Sequence, residues 1–128
     1  MKPELTLLAW SVILAILHML VAVQGAFNQV GLMQLVGNRE GFPEILGWGG
    51  RAARASRNMA ENLVLFAAVV LAAVALDRTN DMTLLGAQLF FWGRLAYAVC
   101  YLGGIQYLRT ASWLVSLIGI VLILIQLF

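Results

Sequence analysis

Arg51-Ala52-Ala53-Arg54-Ala55-Ser56-Arg57-Asn58-Met59-Ala60-Glu61-Asn62 leads without a break into an apolar run over residues 63–76. Three arginines and a glutamate stand at the mouth of a segment that otherwise belongs in a membrane. An ionisable group inside a spanning helix costs about 2.5–3.5 kcal/mol on insertion scales, so such groups tend to face a cavity and serve a function. Four of them in eleven residues mark this segment as more than an anchor.

The rest of the chain has the composition of a bilayer protein. Of its 128 residues, 62% are hydrophobic and 11% charged, against about 25% charged in ordinary soluble domains. The expectation is one integral membrane domain over residues 1–128, with no room for a soluble module. One cysteine, Cys100, excludes an internal disulfide, and one histidine, His18, excludes a histidine-based metal cluster. No metal site is expected. The net charge of +2 is modest and its basic residues lie near segment ends, which argues against nucleic-acid binding. The run from residue 5 to 23 is longer than a signal-peptide core and is read as a retained span.

Four apolar segments of about 20 residues, each long enough to cross a bilayer as a helix, are predicted at about 5–23, 50–76, 83–107 and 111–128. A loop rich in glycine is expected over 37–50, a polar turn over 77–81 and a short connection over 106–110. Asp81 is expected as an N-cap or first-turn acid of the third helix. Arg39, Arg51, Arg54, Arg57 and Arg109 fall on one side and Lys2 and Arg78 on the other. The positive-inside bias then puts the first and third connections in the cytoplasm and both termini outside it, in an inner or plasma membrane. Trp113 sits where an interfacial aromatic anchor is expected.

At roughly 100° per residue, Arg51, Arg54, Asn58 and Glu61 fall within an arc of about 80°, with Arg57 off it. Arg94, Tyr97 and Tyr101 on the third helix fall within about 60°. At about 1.5 Å per residue from the non-cytoplasmic end, Glu61 lies about 23 Å deep and Asn58 about 27 Å. Arg94, Tyr97 and Tyr101 lie about 17, 21 and 27 Å deep, and His18 reaches a similar level. The two polar faces therefore predict a cavity open to the cytoplasm, with Arg54 and Arg109 at its rim. Arginine binds carboxylates through paired hydrogen bonds, and a nearby cation lowers a thiol pKa from about 8.5. An anionic peptide thiol would find both anchoring and activation there.

Each residue also has a structural reading. Arg51, Arg57 and Arg109 fit interfacial anchors. Glu61 and Arg94 fit an interhelical ion pair, and Tyr97 and Tyr101 fit packing residues with satisfied hydroxyls. His18 reads as a hydrogen-bonded packing residue and Cys100 as a small packing residue. Gly103-Gly104 and Gly119 read as close helix contacts.

The run Arg54-Ala-Ser-Arg57-Asn58-Met-Ala-Glu61, followed on the third helix by Arg94-Leu-Ala-Tyr97-Ala-Val-Cys-Tyr101, resembles the MAPEG superfamily, the membrane-associated proteins in eicosanoid and glutathione metabolism, in a prokaryotic-type member. The resemblance covers nearly the whole chain. It implies an all-α membrane four-helix bundle assembled as a homotrimer, with glutathione as cosubstrate between subunits near the cytoplasmic face. It implies that Arg54, Asn58, Glu61, Arg94, Tyr97 and Tyr101 hold glutathione and that Arg109 stabilises its thiolate. The expected activity is transferase or peroxidase chemistry on lipophilic electrophiles or lipid hydroperoxides. A lipid-binding scaffold that does not turn over glutathione is the alternative. Some eicosanoid-synthesising members carry tyrosine after the glutamate, where this chain has Asn62. A proton-coupled exporter is disfavoured, because the first span holds no acid beyond Glu4 at its edge.

Overall fold

A computed structural model describes residues 2–30, 47–103 and 106–128. Four α-helices account for almost all of them: α1 (Pro3–Val30), α2 (Gly47–Ala75), α3 (Asp81–Leu102) and α4 (Gln106–Gln126). Packing is most extensive between α3 and α4, then between α1 and α2. Three of the helices (α1, α2 and α4) are long and apolar enough to cross a membrane. The third is not among them, although its 22 residues would reach. Gln88, Arg94, Tyr97 and Tyr101 dilute its hydropathy.

The bundle is apolar outward, as a solvent of lipid allows. On α1 the buried positions include Glu4, Ser11, His18 and Gly25, seven residues apart, with Leu14 between them. Trp10, Val12, Ile13, Ile16, Leu17 and Leu20 point outward instead. The Ser11 hydroxyl is satisfied locally, donating to the Leu7 carbonyl at 2.8 Å.

One half of the bundle holds the apolar core. Phe66, Val70 and Ala73 of α2 meet Ala87 and Phe90 of α3 and Ile120 and Ile123 of α4. The Phe66 and Phe90 rings stack at 4.0 Å. Between α3 and α4 the backbones nearly touch. A Cβ on Gly119 would strike the Gly86 carbonyl and lie 2.8 Å from the Phe90 nitrogen, and one on Gly93 would lie 3.0 Å from the Ser116 nitrogen. Small residues serve this purpose in lipid, where close van der Waals packing replaces the hydrophobic drive.

Helix ends depart from the sequence expectation at two places. Residues 47–50, expected in the loop, form the first turn of α2, with Gly47 at a φ of 65°. Gly49 packs against Gly25 of α1, where a Cβ would lie 2.6 Å from the Gly49 Cα. Gly49 is therefore a contact residue of a helix rather than a turn former, whereas Gly47 supplies the positive φ at the helix start. The remainder of that loop, with Arg39, lies outside the described residues. Second, α3 ends at Leu102, short of residue 107, because Gly103 caps it by donating to the Val99 and Tyr101 carbonyls. Residues 106–110, expected as a connection, open α4 instead; Gly104 is outside the described residues. At the start of α3 the N-cap is Asn80, in a capping box with Thr83, so of the two roles expected for Asp81 it takes that of the first-turn acid. Upstream, Asp77 adopts a φ of 55° at the end of α2, while the Arg78 N–H reaches the Ala73 carbonyl and the Asp77 N–H the Val74 carbonyl. That pair of bonds is a Schellman termination.

Candidate functional site

The α2 helix meets α3 through two arginine contacts about one turn apart. Arg94, although a cation, is 0% exposed. Its Nη1 donates to Asn58 Oδ1 at 2.8 Å, and its guanidinium lies 4.2 Å from the Tyr97 ring centroid. Nearer the start of α2, Arg54 Nε donates to the Tyr101 hydroxyl at 3.0 Å. Arg109, in the first turn of α4, places its guanidinium 4.7 Å from the Tyr101 ring centroid. The Tyr97 and Tyr101 rings are 5.4 Å apart, and Ala55 and Trp113 pack against them.

These contacts surround a cavity of about 200 Å³ lined by Asn58, Tyr97, Arg109, Thr110 and Trp113. Its electrostatic character is positive. Arg109 stands at its wall, and Asn58, which holds the buried Arg94, forms another part. Arg94 Nε and Nη2 have no hydrogen-bond partner among the described residues. No carboxylate of the described residues pairs with it. Burying a charge costs several kcal/mol unless partners compensate, and a cation–π contact returns only about 2 kcal/mol when desolvated. The site is thus short of negative charge.

Of the residues singled out from the sequence, Arg54, Asn58, Arg94, Tyr97, Tyr101 and Arg109 come together. Glu61 does not join them. It is exposed on α2, and the expected Glu61–Arg94 ion pair is replaced by the Asn58–Arg94 hydrogen bond. Arg51 is half-buried, its Nε without a partner among the described residues, and Arg57 is exposed.

His18 belongs to a different place. It lines an apolar cavity of about 170 Å³ with Leu14, Leu17, Val21, Ala52, Ala55 and Ala98. Its Nε2 has no hydrogen-bond partner among the described residues.

Three residues in or beside the cavity were not anticipated as such. Asn62 is buried, and its Nδ2 donates to the Asn58 carbonyl at 2.8 Å and to Asn58 Oδ1 at 3.2 Å. Thr110 and Trp113 line the cavity from α4. A signal was available for two of them. Asn62 follows Asn58 and Trp113 follows Arg109 by four residues, the spacing that puts helix side chains on one face.

Fold and site together define an all-α membrane protein with a cationic cavity at one end of a helical bundle. The MAPEG family model matches residues 7–128, and the chain belongs to that family. No match was found among curated proteins or among solved structures.

Proposed function

We propose that the protein is a membrane-bound, glutathione-dependent transferase or peroxidase acting on lipophilic electrophiles or lipid hydroperoxides. The observation that carries this reading is the cavity of Asn58, Tyr97 and Arg109, set against a buried Arg94 that no described carboxylate neutralises. A peptide with two carboxylates supplies the missing charge. Family membership supports the choice of glutathione.

In this reading Arg54, Asn58, Arg94, Tyr97 and Tyr101 hold the peptide. Glu61 and Arg54, exposed on α2, meet it where a neighbouring copy closes the site, in the homotrimer that the family resemblance implies. Arg109 stabilises the thiolate. The sulfur then attacks an electrophilic carbon and expels its leaving group, such as halide. With a hydroperoxide, the sulfur attacks the terminal oxygen and the alcohol leaves. A second glutathione condenses with the resulting sulfenic acid, giving disulfide and water. Glutathione enters from the cytoplasm and the apolar substrate from the bilayer, a division suited to detoxification.

Purified protein should turn over glutathione with 1-chloro-2,4-dinitrobenzene or cumene hydroperoxide. Arg109→Ala should lower turnover about a hundredfold, the usual loss when one charge-stabilising donor is removed. Unchanged turnover in that variant would sink the role given to Arg109.

The apolar cavity beside His18 favours a second reading, a lipid-binding scaffold without turnover. Calorimetry separates the two. Saturable lipid binding with no glutathione binding at millimolar concentration would select the scaffold.

A further inference from the structure

We infer that Asn62 is a positioning residue: with Arg94 it locks the Asn58 carboxamide so that its N–H₂ group, not its oxygen, is left for a ligand. The inference rests on the glutathione reading only for the identity of that ligand.

The polarity of this small network follows from chemistry alone. A guanidinium carries only donors. The Asn58 atom 2.8 Å from Arg94 Nη1 must therefore be the carboxamide oxygen. The Asn62 group approaching that same oxygen and the Asn58 backbone carbonyl faces two acceptors, so it must be the amide nitrogen. Arg94 and Asn62 thus fix the Asn58 flip from two directions. Both are buried, at 0% and 8% exposure, which shields the arrangement from exchange with water.

The consequence lies at the cavity wall. Asn58 lines the cavity, and its oxygen is occupied by two donors. Its Nδ2 has no partner among the described residues. Beside it the cavity presents the Arg109 guanidinium, again donors only. A group that docks against these two side chains must therefore bring acceptors, and carboxylate or peptide carbonyl oxygens fit this part of the wall. Without Asn62 the carboxamide keeps only its bond to Arg94, swings more freely, and offers a less ordered donor.

Two measurements test this, one independent of glutathione. In unliganded protein in detergent, side-chain amide hydrogen exchange should be slow for Asn62 and fast for Asn58, and Asn58→Leu should make Asn62 fast. A slow Asn58 amide beside a fast Asn62 amide would overturn the orientation whatever the ligand. In the second arm, Asn62→Leu should raise the KM for glutathione about fivefold, the worth of about one hydrogen bond, with kcat changed less than about twofold. Asn62→Gln, which retains a donor, should recover most of the loss. Equal KM values in wild type and Asn62→Leu would overturn the positioning role. If wild type shows no glutathione binding, the proposed function fails while the exchange arm still decides the orientation.

Discussion

At the α3 N-terminus, Asn80 accepts from the Met82 and Thr83 backbone and donates to Gln126 at 2.8 Å, while Thr83 closes the capping box and touches Glu4. Toward the other end of the same helix, Arg94 makes one side-chain hydrogen bond among the described residues and has two buried nitrogens without a partner there. The first region is a finished junction that ties α1, α3 and α4 together. The second holds a charge that its own helices do not neutralise. Protein interiors ordinarily satisfy buried polar groups, so the contrast separates a structural network from one arranged for something that arrives later.

The strongest way to break this comparison is to disturb the finished half. Gly119→Leu would drive a side chain into the Gly86 carbonyl and the Phe90 backbone, and overpacking of backbone contacts should cost about 3 kcal/mol or more. Thermal unfolding in detergent should show a large loss or no folded protein. Survival at the wild-type transition temperature would mean that the α3–α4 contact is looser than described.

Arg94→Met sharpens the other side. Replacing a buried charge by an apolar residue of similar volume is often neutral or stabilising. Glutathione binding should weaken by about tenfold or more, since a charged hydrogen-bond network is lost, while the unfolding temperature should stay level or rise. A fall in stability with binding intact would make Arg94 an architectural residue. The smallest effect is expected at Asn80→Ala, which removes an N-cap worth about 1 kcal/mol. Its transition temperature should drop with no change in the KM for glutathione. A changed KM would show that the two ends are coupled.

Much of the site was legible before the fold. Helical spacing put Arg54 and Asn58 on one face and Arg94, Tyr97 and Tyr101 on another, and a helix in lipid has few other places for such groups. Pairing was harder. Depth counting at one rise per residue set Glu61 nearer Arg94 than Asn58, yet the long arginine side chain reaches Asn58. The three-dimensional packing of the helices and the reach of the side chain, neither present in a residue count, decided the partner. The Gly49 and Gly103 positions were misread for a related reason. Glycine serves turns, caps and close contacts alike, and only its neighbours separate these uses.

By itself the sequence determined that the chain is helical and membrane-embedded, because its long apolar segments must satisfy their backbones internally. It also determined which polar residues share a face, because that follows from the period of the helix. Only the tertiary structure decided that Asn58 rather than Glu61 meets Arg94, that Asn62 completes the pair, and that His18 lines a separate apolar cavity. Those outcomes depend on how four helices cross, and crossing is set by contacts such as Gly25 on Gly49 and Gly86 on Gly119, which join residues far apart in the chain.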